Sequence, residues 1–155
     1  MYATERELLK LALQHPDLVS PAFDAYGVDE FTAAPYAAVR QAILDAGGAE
    51  YGTQDPQDYL VRVRDAAPDD GVRAMVTELA VEAIMRRTVD AAYAGEQLVT
   101  VRLRAVDRRV RDVQGTFARL AGSHGDPEQL SAVQNELWVL QQYGRALRER
   151  GAAAL

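Results

Sequence analysis

Two runs of apolar residues near the C-terminus advance in alternating steps of three and four. The first is Leu103, Val106, Val110, Val113, Phe117 and Leu120. The second is Leu130, Val133, Leu137, Leu140 and Leu147, with Gly144 in the remaining position. Such spacing puts one apolar edge along each of two helices, the a/d seam of a coiled coil. Between the runs lies Gly122-Ser123-His124-Gly125, followed by Asp126-Pro127-Glu128-Gln129. Glycines end the first arm, and Asp at N-cap, Pro at the first helical position and Gln at N3 begin the second. So short a connection leaves the arms antiparallel, seam to seam. Tyr93 to Arg150 is therefore expected to form one long helical hairpin.

The preceding residues read as shorter helices. Thr4-Glu5-Arg6-Glu7 has the form of a capping box, with Thr4 as N-cap and Glu7 at N3. Leu8, Leu9, Leu11, Ala12 and Leu13 make this first helix a core element, and Pro16 stops it. In Asp17 to Tyr26, Pro21 suits a helix start after Ser20; Leu18, Val19 and Phe23 are the segment's buried candidates, and Gly27 is a stop in the left-handed conformation. Phe31 sits in a short turn. Pro35 opens a helix with Tyr36, Val39, Ile43 and Leu44 on one face, closed by Gly47-Gly48, and residues 49–55 read as a polar loop. Asp55-Pro56 starts a helix that buries Tyr59, Leu60 and Val63. Turn chemistry at Pro68-Asp69-Asp70-Gly71 precedes another over Val72 to Ile84. No period-two alternation competes, so the predicted class is all-α. Five or six short helices over residues 1–88 are followed by the hairpin over 89–155, with Gly151–Leu155 as a frayed tail.

Composition narrows the function. No apolar run approaches the roughly 18 residues of a membrane span, and no signal-peptide pattern is present. The absence of cysteine excludes disulfides and thiolate metal sites and fits a reducing cytoplasm. Residues 1–88 hold 8 Arg or Lys against 15 Asp or Glu, whereas residues 89–155 hold 9 against 8. The acidic first part repels a phosphate backbone and the hairpin is near neutral, which argues against bulk DNA binding.

Nothing in the chain has the spacing of a catalytic or metal-binding motif. His15 and His124 lie at helix ends, without a partner at ligand spacing. Phosphate-binding glycine loops and Gly-x-Ser-x-Gly are absent. Asp69-Asp70, Asp29-Glu30, Asp55 and Asp58 fall at turns or first helical turns, where capping explains them. No catalytic residue, metal ligand or cofactor is assigned.

The hairpin's outer faces carry more information. At about 100° per residue, Arg104, Arg108, Arg111 and Arg119 point away from the first seam, while Arg102 and Arg109 flank it. This row is either a solvated face or a contact stripe for an acidic protein surface or nucleic acid, and Asp107 and Asp112 interrupt it. On the second arm, Trp138 lies out of register with the seam, on one side with Gln134, Gln141 and Arg145. The tryptophan either packs on the N-terminal lobe or is an exposed anchor for another protein. Tyr143 and Val139, on the other flank, carry the same pair of readings. Gly95 and Gly115 weaken the first arm and allow a break near Gly95.

Several segments in order resemble the C-terminal domain of bacterial DnaG-type DNA primases, most closely actinobacterial ones. They are Glu5-Arg6-Glu7-Leu8-Leu9-Lys10-Leu11-Ala12-Leu13-Gln14, Phe31-Thr32, Tyr36-Ala37-Ala38-Val39-Arg40, Ala67-Pro68-Asp69-Asp70, Glu78-Leu79-Ala80-Val81-Glu82 and Gln142-Tyr143-Gly144-Arg145-Ala146-Leu147-Arg148-Glu149. The resemblance covers nearly the whole chain and rests on many matches rather than one fingerprint. It implies a helical bundle followed by a hairpin that docks on the N-terminal domain of the hexameric replicative helicase. Recruitment of primase to the replication fork in the cytoplasm follows, with single-stranded-DNA-binding protein a further partner in some members. The zinc ligands and strand-borne acidic cluster of the family's other domains are missing here. The chain thus reads as a C-terminal piece beginning at an artificial Met1, unable to make primers alone and without membrane or strong DNA contacts. Geometry, not the family, assigns the helicase-binding candidates: Arg104, Arg108, Arg111, Arg119, Gln134, Trp138, Gln141, Tyr143, Arg145 and Arg148. The alternatives are a nucleic-acid-binding module using the arginine stripe and an oligomerisation module whose seam pairs between chains.

Overall fold

The computed structural model describes residues 2–155; Met1, and with it the expected artificial start, lies outside them. Among the described residues the chain is all helical, without a strand. Six short helices come first: α1 (Ala3–Gln14), α2 (Pro16–Val19), α3 (Ala34–Asp45), α4 (Gly48–Gln54), α5 (Pro56–Ala66) and α6 (Asp70–Leu79). Two long ones follow, α7 (Ala91–Gly122) and α8 (Pro127–Arg150), as the apolar periodicity predicts. The chain forms two compact units, the first ending at Val101 and the second running from Arg102 to Leu155, so the division falls inside α7.

The first unit is built around α1. Its Leu8, Leu9, Leu11 and Ala12 are wholly buried, against Val39 and Ile43 of α3, Tyr59 and Val63 of α5, and Val76 and Leu79 of α6. Each buried Leu contributes about 1.5–3 kcal/mol relative to exposure. Ala94, Leu98 and Val101 from the first turns of α7 belong to this same core, and Tyr26 donates to the Leu98 carbonyl at 2.5 Å. Leu44, expected on the buried face of α3, is instead largely exposed.

Pro16 ends α1 as expected and leaves a defect, because it has no N–H for the Ala12 carbonyl four residues back. The Tyr59 hydroxyl fills that place, donating to the Ala12 oxygen at 2.9 Å. The Tyr59 ring lies so close to Gly52 that a Cβ there would stand 2.6 Å from Cδ2 and 2.9 Å from Pro16 Cβ. Only glycine fits.

Several local expectations are corrected by long-range contacts. The capping box does not form: α1 starts at Ala3, and no side chain caps it. Glu7 is drawn into the interior, where it pairs with Lys10 at 2.7 Å and accepts from the Met85 amide at 2.7 Å and the Tyr93 hydroxyl at 2.5 Å. The expected helix after Ser20 is a 3-10 turn, Ala22–Ala25, and Gly27 has φ −87°, not the left-handed value. Residues 49–55, expected as loop, mostly lie in α4. Gly47 at φ 107° ends α3, and the Asp24 carboxylate caps the new helix by accepting from Ala49 N (2.7 Å) and Glu50 N (3.0 Å). A cap supplied from 25 residues away has no local signature.

The helix expected over Val72 to Ile84 stops at Leu79. Gln14 donates to the carbonyls of Leu79 (2.8 Å) and Glu82 (2.7 Å), and Lys10 to that of Ala83 (2.9 Å). These acceptors would otherwise continue the helical ladder, so α1 ties residues 82–85 down as a strap, with the Met85 side chain 81% exposed. Asp55 and Asp69 cap α5 and α6 as their sequences predict, accepting from Asp58 N and Val72 N. Asp58 itself pairs with Arg62 and accepts from the Tyr51 hydroxyl. Arg40, which the apolar pattern did not single out, lies in the core. Its Nε and Nη2 bond the Tyr26 carbonyl at 3.0 and 2.8 Å, its guanidinium covers the Phe23 ring, and burial lowers its pKa.

Candidate docking surface on the helical hairpin

Asp90 starts α7 by accepting from the Tyr93 amide at 2.8 Å, two residues earlier than the apolar pattern indicates. The helix then runs through Gly95 and Gly115 as one element, with no break near Gly95. It ends at Gly122. The Gly125 amide reaches back to the Leu120 carbonyl at 2.8 Å, and a Cβ on Gly125 would lie 2.9 Å from that oxygen. Asp126 caps α8 through Glu128 N at 3.0 Å, with Pro127 in the first turn. The expected frayed tail is a 3-10 turn, Gly151–Ala154, begun by Gly151 at φ 58°.

Two ion pairs bridge the arms and report their orientation. Arg109 grips Glu136 Oε1 through Nε (3.0 Å) and Nη2 (2.5 Å), and Arg148 Nη2 meets Asp107 Oδ1 at 2.8 Å. Numbers rise along one arm as they fall along the other, so the arms are antiparallel. Val106, Val113, Gly144 and Leu147 are buried in the seam, while Leu103, Val110, Phe117, Leu120, Leu130, Val133, Leu137 and Leu140 are half-buried.

The proposed contact residues divide into groups. Gln134, Trp138, Gln141 and Arg145 are all exposed, and their spacing along α8 puts them on one side of the helix. Trp138 is 60% exposed, so it is not a core side chain. Val139 is also exposed, and Tyr143 is half-buried. On α7, Arg104, Arg111 and Arg119 are exposed; Arg119 Nη2 donates to Thr116 Oγ1 at 3.1 Å. Arg108 is half-buried with interactions of its own. Arg148 is drawn to the seam by Asp107 rather than standing free on the outer face.

A groove of about 430 Å³ that the spacing did not foretell lies alongside Gly144, lined by Val106, Val110 and Leu140 and by Asp107, Gln141, Gln142, Arg145 and Arg148. Only the gap between the arms creates it, and the one available signal was a glycine in place of an apolar seam residue. Among the described residues no group of three or more His, Asp or Glu is placed to hold a metal ion, and no helix is long and apolar enough to cross a membrane.

Short helices around a buried α1, followed by an antiparallel hairpin with an exposed aromatic and polar side, define an all-helical, hairpin-bearing domain. Residues 5–132 match the family described as DNA primase DnaG DnaB-binding, and the chain belongs to that family. It is 75% identical over 159 residues to a DNA primase of Streptomyces coelicolor, a match covering all of this chain and 25% of that protein. To a DNA primase of Mycobacterium tuberculosis it is 36% identical over 153 residues, covering 96% of this chain and 23% of the other. The solved helicase binding domain of primase from Mycobacterium tuberculosis is similar with a TM-score of 0.76 and 32% identity, covering 99% of this chain and 94% of that one. The chain thus spans about a quarter of the length of the curated relatives it matches. The family match ends at residue 132, just before the Gln134–Arg145 stripe, whereas the structural likeness extends over almost the whole chain.

Proposed function

We propose that this chain is the part of a bacterial DNA primase that docks on the N-terminal domain of the replicative helicase, bringing primer synthesis to the fork in the cytoplasm. Membership of the DnaB-binding family supports the partner, and exposed Trp138 among Gln134, Gln141 and Arg145 is the observation that carries the surface. A large aromatic exposed beside amides and an arginine is the composition of a binding hot spot. Arg104, Arg108, Arg111 and Arg119 on the other arm, with Tyr143 and Arg148, extend this surface as supporting contacts. Single-stranded-DNA-binding protein is a further partner in this reading. The nucleic-acid alternative has less support, since Asp107 and Asp112 interrupt the arginine row and residues 89–155 hold 9 Arg or Lys against 8 Asp or Glu. Calorimetric titration of the chain with the helicase N-terminal domain tests the proposal. Saturable binding at micromolar concentration is expected; no heat at tens of micromolar with an intact helical spectrum would count against it.

A further inference from the structure

The groove beside Gly144 has no packing reason for its glycine. Gly144 lies within α8, where glycine is the poorest helix former after proline. A Cβ there would make an ordinary contact at 3.5 Å with Val106 Cγ1 and stand 3.3 Å from Arg148 Nη1, the movable end of a long side chain. The seam therefore has room for a methyl, and leaving it out keeps the groove open. Val106, Val110 and Leu140 give it a small aliphatic patch, while Asp107, Gln141, Gln142, Arg145 and Arg148 make the larger, polar share of its lining. Its charged rim is two arginines against one carboxylate: Arg148 commits Nη2 to Asp107, while its Nη1 hangs over Gly144, and exposed Arg145 stands three residues before it.

Resting on the docking proposal above, we infer that this groove receives one acidic side chain of the helicase N-terminal domain, its methylenes on the aliphatic patch and its carboxylate between Arg145 and Arg148. A carboxylate shared between two guanidiniums matches their fork geometry, and the arginine rim repels a lysine while the small aliphatic patch takes the stem of a glutamate. The groove would thus supply the charge-specific part of docking, separate from the Trp138 anchor.

The test is titration of the helicase N-terminal domain with the wild-type chain and with Gly144→Leu, Arg145→Glu and Trp138→Ala. Gly144→Leu fills the groove with a side chain that can pack on Val106; Arg145→Glu reverses the rim without touching the seam. Both are expected to weaken binding at least about tenfold while melting stays close to wild type, and Arg145→Glu to flatten the salt dependence. If both bind as wild type while Trp138→Ala does not, the groove inference is overturned and the docking proposal stands. If the wild-type chain fails to bind, both fall together. Should Gly144→Leu fold poorly, Arg148→Ala, which leaves the Gln134–Arg145 stripe intact, decides in its place: binding weakened about tenfold supports the groove, and wild-type binding overturns it.

Discussion

The Glu7 carboxylate accepts a hydrogen bond from the Tyr93 hydroxyl at 2.5 Å, across 86 residues of sequence. Through it the first helix holds the opening turn of the longest one, and the same Glu7 oxygen accepts from the Met85 amide of the strap in between. Arg6 adds to this junction on the outside, reaching Glu82 at 2.8 Å and Glu78 at 3.1 Å.

That bond makes stability sensitive to alkaline pH. Burial, reinforced by the hydrogen bond to Glu7, pushes the Tyr93 hydroxyl up from 10.0 to about 12. The unfolded chain therefore loses this proton near pH 10 while the folded chain keeps it. The folded state binds more protons in that window, so stability falls as pH rises. The contribution is complete below pH 10 and is lost between pH 10 and about 12. Melting curves of wild type and Tyr93→Phe from pH 8 to 12 should converge in this window; parallel curves would contradict the assignment.

Tyr59→Phe removes the donor that replaces the missing Pro16 amide. The Ala12 carbonyl is then buried without a partner, at a cost of about 1–3 kcal/mol. Urea denaturation should show the loss as a lower midpoint at unchanged slope. A change below about 0.5 kcal/mol would mean that the hydroxyl does not serve this carbonyl.

Two glycines should respond oppositely to the same substitution. Gly52→Ala drives a methyl into the rigid Tyr59 ring and Pro16, and should destabilise by about 1–3 kcal/mol. Gly144→Ala makes ordinary contact with Val106, displaces only the far end of the Arg148 side chain and gains helix propensity, so it should stabilise by up to about 1 kcal/mol. Thermal melting of the two variants side by side is sufficient, and equal shifts would be inconsistent with both environments.

Trp138→Ala should separate binding from folding. With the indole exposed, its loss should change stability by no more than about 0.5 kcal/mol. As an anchor it should weaken helicase binding by at least about 2 kcal/mol. A large drop in melting temperature would instead identify it as a packing residue.

The hairpin was legible because its determinants are local. Alternating apolar steps, the glycines of the turn and the Asp126-Pro127 start each act within a few residues, and each appears where the spacing put it. The all-α class and the core role of α1 were legible for the same reason. Helical geometry put the Gln134–Arg145 stripe off the seam but left open whether Trp138 packs on the N-terminal lobe or faces solvent; the structure leaves it 60% exposed.

What the spacing could not supply was any partner brought in from far along the chain. Asp24 makes a helix of residues expected as loop, Gln14 and Lys10 stop α6 five residues early, and Glu7 leaves a capping role for a buried one. Arg148 turns to Asp107 on the other arm, and the groove at Gly144 exists only in the space between two helices. The sequence alone determined where helices run and which edges are apolar, since backbone propensity and side-chain period are properties of neighbours. The tertiary structure alone decided which polar groups are buried, where helices are cut and what space stays open, because those depend on what a carbonyl or carboxylate meets once the chain has closed around it.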